Sequence, residues 1–89
     1  LNIDITATIT RDTNYTLEQV TANVNSKITA YLQSIAFKQN IVSYARIGSL
    51  LLDSTGVLDY SNLTINGGAS NITVGDEQVA VLGQVTLSE

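Results

Sequence analysis

Ile3, Ile5, Ala7 and Ile9 alternate with Asp4, Thr6, Thr8 and Thr10 along the first stretch of the chain. A period of two over Asn2 to Thr10 predicts a strand with one buried face and one that is wet or lightly covered. The polar cluster Arg11-Asp12-Thr13-Asn14 then predicts a turn. Beyond it the period changes. Leu17, Val20, Val24, Ile28, Tyr31, Leu32 and Ile35 recur at intervals of three and four and trace one helical stripe. Thr16 stands as its N-cap, with Gln19 placed to close a capping box and Glu18 in the first turn, near the positive end of the helix dipole. Asn23, Ser26, Lys27 and Gln33 take the opposite face. Val and Thr are mediocre helix formers, so packing of the stripe, rather than propensity, holds this helix.

Phe37 to Val42 mixes polar and apolar residues and fits a loop or a short extended segment. Ser43 is a second N-cap, and Tyr44, Ile47, Leu50 and Leu51 make a shorter stripe ending near Asp53. Gly48 inside it costs about 1 kcal/mol against Ala and is tolerated best where a neighbouring element comes close. Gly56 ends the helical region. The last third returns to a period of two. Val57 to Ile65 predicts a strand with Leu63 and Ile65 on one face, and Asn66-Gly67-Gly68 predicts a tight turn. Asn71 to Val74 follows as a short strand, then Gly75-Asp76-Glu77 as a turn. Val79 to Leu87 forms the last strand, with Val81, Gly83, Val85 and Leu87 in phase. The order is β-α-α-β-β-β, an α+β fold. Both helices must lie across one face of a small sheet, because neither stripe can bury itself. The connection from Ile9 to Val57 through two helices leaves parallel and antiparallel neighbours equally open.

Length and charge narrow the function. Eighty-nine residues with 44% apolar content make one domain, residues 1–89. Size scaling lets it bury roughly 60–65% of its extended-chain surface, a thin core. Four basic against eight acidic residues give a net charge of -4, and no Lys/Arg run exists to neutralise successive phosphates. Nucleic acid is therefore not an expected partner. Neither a membrane-span pattern nor a signal-peptide pattern occurs. The chain opens on Leu1 and runs straight into a strand, without an initiator Met, which predicts a piece of a longer polypeptide.

Candidate chemistry is sparse. Without His or Cys, the usual nucleophile triads, zinc sites, redox pairs and disulfides are excluded. Asp76-Glu77 reads as a solvated turn, since a calcium cage needs more oxygen ligands than its surroundings supply. Asp53 and Asp59 could face each other as a glycosidase pair, but nothing marks a cleft between them. Asn66-Gly67-Gly68-Ala69-Ser70 lacks the Lys-Ser/Thr ending of a phosphate loop and reads as a hairpin loop. Ser43, Ser49 and Ser54 have no His or Lys partner at a motif spacing. The Asn-x-Ser/Thr triplets at Asn14, Asn62 and Asn71 match the chance expectation for an Asn- and Thr-rich chain. Tyr31 and Tyr44 fall in or beside helical stripes and belong to the core. Tyr15 and Tyr60 sit at element edges, where an amphipathic ring could serve an interface. No cofactor, metal or small-molecule substrate is indicated, and an enzyme reading has nothing to stand on. Thr/Asn-rich strands of low charge also fit a cell-surface or adhesin-like binding module.

The order of segments carries one resemblance. Thr16-Leu17-Glu18-Gln19-Val20 with Val24, Ile28 and Tyr31-Leu32 is followed by Ile41-Val42-Ser43-Tyr44 and by Thr55-Gly56-Val57-Leu58-Asp59-Tyr60. Leu63-Thr64-Ile65-Asn66-Gly67-Gly68, Asn71-Ile72-Thr73-Val74 and Glu77-Gln78-Val79-Ala80-Val81-Leu82-Gly83-Gln84-Val85-Thr86-Leu87 complete it. Together these resemble the C-terminal domain of the baseplate J-like family of contractile-tailed phages, prophages and phage-derived injection machines. The chain departs from the family in its Asn/Thr-rich character and in having Phe37-Lys38-Gln39-Asn40 where a glycine-bearing turn is usual. The resemblance implies a non-enzymatic wedge component of the tail baseplate, bound to other wedge proteins and monomeric in isolation. Such a component is assembled in the bacterial host cytoplasm and resides in the virion tail, away from membranes. Under it, Gly56, Val57, Asp59, Asn66, Gly67, Ala80, Leu82 and Gly83 are fold determinants. Gly56 would end the helical region and Asn66-Gly67 would turn a hairpin. Ala80, Leu82 and Gly83 would permit close packing in the last strand.

Overall fold

The computed structural model describes residues 1–75 and 78–89, so the Asp76-Glu77 turn expected from the sequence lies outside the described residues. Strand β1 spans Asn2–Arg11, and its Ile3, Ile5, Ala7 and Ile9 are all buried, as the alternation predicts. Helix α1 spans Leu17–Ile35. Its capping box is formed in both directions: the Gln19 N–H donates to Thr16 Oγ1 at 3.1 Å, and the Thr16 N–H donates to Gln19 Oε1 at 2.9 Å. Val20, Val24, Ile28, Leu32 and Ile35 form the buried stripe, with Leu17 and Tyr31 half-buried at its margin.

The region after α1 holds an element that periodicity does not reveal. Ile41–Val42 is a two-residue strand, β2, which pairs antiparallel with β4 at Ile72–Thr73. Two residues carry no period to read, and the pairing is set by distant partners. The order is therefore β-α-β-α-β-β-β instead of β-α-α-β-β-β, with a three-stranded and a two-stranded sheet. Helix α2, Tyr44–Asp53, starts as expected on Ser43, whose Oγ accepts from the Arg46 N–H at 3.1 Å. Asn71 Oδ1 accepts from the Tyr44 N–H at 2.8 Å, so the chain leading into β4 also ties down the start of α2. Gly48 faces the Tyr60 ring: a Cβ there would sit 2.3 Å from Tyr60 Oη. The close neighbour that this glycine called for is a strand residue.

Strands β3 (Val57–Ile65) and β5 (Val81–Ser88) flank β1 in the order β3-β1-β5. β1 runs antiparallel to β3 and parallel to β5. The pairing is interrupted three times. Thr6 pairs with Thr64 but Thr8 with Ser61, which leaves an extra residue in β3 at Asn62, where φ is 53°. A second extra residue, Leu58, falls between the Thr10–Asp59 and Arg11–Val57 pairs. In β5, Ile3 pairs with Leu82 while Ile5 pairs with Val85. Each bulge flips the phase of the strand beyond it.

The expected phase of the last strand is corrected accordingly. Leu82, Val85 and Leu87 pack toward the core, whereas Val81 is 47% exposed, and the strand begins at Val81 instead of Val79. Helix α1 packs over β5 and α2 over β3. Their stripes close one hydrophobic core with β1, to which Val42 and Val74 add from the small sheet.

Candidate assembly surface

The sheet face opposite the helices carries the even-numbered residues of β1, and hydroxyls dominate it. Thr6 lies between Thr64 and Thr86, Thr8 between Ser61 and Ser88, and Thr10 beside Asp59. Thr8 and Thr64 are half-buried and the others are exposed, with no aliphatic or aromatic side chain among them. β-branched threonines suit a pleated strand, and their hydroxyls keep the face compatible with water. Thr8 Oγ1 and Ser88 Oγ lie 3.4 Å apart across the parallel pair.

Polar clamps hold the sheet at both ends. At one end Arg11 Nε donates to Glu89 Oε1 at 2.6 Å. That hydrogen bond raises the guanidinium pKa; desolvation opposes it and the carboxylate's attraction adds to it. At the other end Asp4 and Asn66 bind each other through the backbone. The Asp4 N–H donates to Asn66 Oδ1 at 2.7 Å, and the Asn66 N–H donates to the Asp4 carbonyl at 2.8 Å. Asp4 Oδ1 also accepts from the Gln84 N–H at 2.9 Å, directly across the β5 bulge. A Cβ on Gly83 would stand 2.2 Å from that same Oδ1, so this glycine makes room for the Asp4 carboxylate.

The residues singled out from the sequence are dispersed. Gly56 has φ 96° and lies against Val20 and Tyr15, while Val57 and Ala80 are buried. Asn66 and Gly67 have φ 50° and 81°, and their turn closes through the Gly68 N–H to Ile65 carbonyl bond at 3.0 Å and its reverse at 2.8 Å. No strand then follows alongside β3, because β4 departs to β2. Leu82 is half-buried opposite Ile3, and Asp59 is exposed with its Oδ1 accepting from the Tyr60 N–H. Tyr15 and Tyr60 are half-buried and pack against the core. Tyr31 and Tyr44 pack there too: Tyr44 Oη donates to the Leu63 carbonyl at 2.6 Å, and Tyr31 Oη accepts from the Ser43 N–H.

Sequence reasoning passed over Asp4, Asn62 and Asn71, which organise the clamp, a bulge and the α2 start. Asn62 alone carried a signal, as an Asn inside a strand run, since Asn tolerates positive φ. Among the described residues no group of three or more His, Cys, Asp or Glu side chains could hold a metal ion, and no helix is long and apolar enough to cross a membrane.

Comparison with known proteins places these features in a lineage. The chain is 28% identical over 87 residues to the "Phage-like element PBSX protein XkdT" of Bacillus subtilis (strain 168), covering 98% of this chain and 25% of that protein. It is 29% identical over 87 residues to the "Uncharacterized protein YqbT" of the same strain, with the same coverage. It thus spans about a quarter of the length of these relatives. Residues 3–88, from the first buried isoleucine of β1 to the last residue of β5, match one family throughout, and the chain belongs to that family, described as the Baseplate J-like protein C-terminal domain.

Proposed function

We propose that this chain is a non-enzymatic structural part of a phage or prophage contractile-tail baseplate, within a longer protein, and that it makes wedge contacts through the open face of its three-stranded sheet. The observation that carries the reading is the family match over residues 3–88, which takes in every element of the fold. The face supports where the contact lies. It is exposed, low in charge and rich in hydroxyls, the make-up of a wet, moderately polar interface and not of a reaction pocket. The clamps at the two ends of the sheet fix its shape before any partner arrives, which lowers the ordering cost of association. The partners are other baseplate proteins; assembly takes place in the host cytoplasm and the product resides in the virion tail.

Light scattering on the chain alone, and then with the tail proteins encoded beside it, tests the reading. The expected result is a monomer that enters a larger complex only when those proteins are present. A chain that ignores them and binds a glycan or a cell-surface extract would instead be an adhesin-like module.

A further inference from the structure

On the helix side of the fold a groove of about 900 Å³ opens between α1 and α2. Among the described residues its charged lining side chains are Lys27 and Arg46, with no Asp or Glu. Two of the chain's four basic residues thus share one concavity, and none of the described acidic residues lines it. Among the described residues the single ion pair is Arg11–Glu89, so neither groove cation is neutralised within the described fold. Ala30, Tyr31 and Leu50 add apolar contact surface to the lining.

Hydrogen bonds hold the groove open at a set width. Asn23 Nδ2 donates to the Thr55 carbonyl at 2.9 Å, and further along α1 the Ser43 N–H donates to Tyr31 Oη at 3.1 Å. Asn23 and Tyr31 are about 12 Å apart along a helix rising 1.5 Å per residue, a span that about four extended residues would match. We propose that this groove docks a short acidic segment of a partner protein, with its carboxylates on Lys27 and Arg46. Two cations within a chain of net charge -4 cannot follow a run of phosphates, which favours a peptide over nucleic acid. The groove lies on the side of the fold away from the open sheet face, so either surface can fail without the other.

The test is a titration of the chain with a fluorescein-labelled oligoglutamate peptide at low salt, followed by anisotropy and by backbone amide shifts. The amides of Ala30, Tyr31 and Leu50 are expected to move while those of β1 stay in place. Lys27→Gln and Arg46→Gln should each weaken binding about two- to fivefold, the range of exposed charge pairs. Both side chains are exposed, so the variants keep the fold. Lys38→Gln makes the same charge change outside the groove and should leave binding unaltered. Absence of groove shifts at saturating peptide would overturn the proposal, as would an equal loss from Lys38→Gln. Tighter binding of a single-stranded oligonucleotide of equal charge would assign the groove to nucleic acid and overturn it as well.

Discussion

Phe37 holds φ at 62°, in the left-handed region, while its side chain is 85% exposed. It occupies the position just past α1 where the chain must reverse: the Lys38 and Gln39 N–H groups both donate to the Ile35 carbonyl at 3.0 Å. Glycine usually takes such a place because a Cβ there costs roughly 1–2 kcal/mol. A ring this exposed recovers little of that through burial. Phe37→Gly is therefore expected to raise stability by about 1 kcal/mol, seen as a higher urea midpoint with an unchanged slope. A lower midpoint would mean that the ring is covered in solution. The sequence places a loop here but does not mark its left-handed residue, because phenylalanine carries no preference for positive φ. Asn66-Gly67 was legible for the opposite reason: both residue types accept the left-handed region that the turn imposes.

At the scale of elements, legibility follows whether a local signal and tertiary packing agree. Helix α1 was readable because its cap, box and stripe all act within a few residues of one another. Strand β3 was readable as a strand, but its facing was not. Val57, Tyr60, Leu63 and Ile65 point to the core at spacings of three, three and two, since bulges at Leu58 and Asn62 each insert one residue. A bulge is set by the partner strand, which lies about fifty residues away in sequence. Tyr60 owes its inward position to these bulges, and with it the contact to Gly48 on α2. Gly48→Ala should therefore lower stability by about 1–3 kcal/mol from overpacking, despite a helix-propensity gain of about 1 kcal/mol. In a Tyr60→Phe background the nearest atom to the new methyl would be Cζ at 3.1 Å instead of Oη at 2.3 Å, so the penalty should shrink. A double-mutant cycle in denaturant measures that coupling; strict additivity would place the ring elsewhere in solution.

Over the whole molecule, the central strand β1 precedes both of its partners in sequence, and one of them is β5, the last of the five strands. Asn2 pairs with Val81, and the Val81 N–H donates to the Leu1 carbonyl at 2.9 Å, so this side of the sheet closes only when β1 and β5 meet. This closure leaves one side of the sheet beneath the helices and the other open, so the two proposed contacts fall on two separate surfaces. Lysine at Thr6 or Thr86 tests that division. Both side chains are exposed on the open face, so Thr6→Lys and Thr86→Lys should change stability by no more than about 1 kcal/mol, the spread of strand propensities. An added cation there would have to be desolvated against a partner shaped for a hydroxyl, and the complex with neighbouring tail proteins should be lost by light scattering. Lys27→Gln and Arg46→Gln change the opposite side and should leave the contact made by the sheet face in place. If the threonine variants still assemble with unaltered mass, the open face is not the baseplate contact; if the groove variants abolish assembly instead, the helix side is.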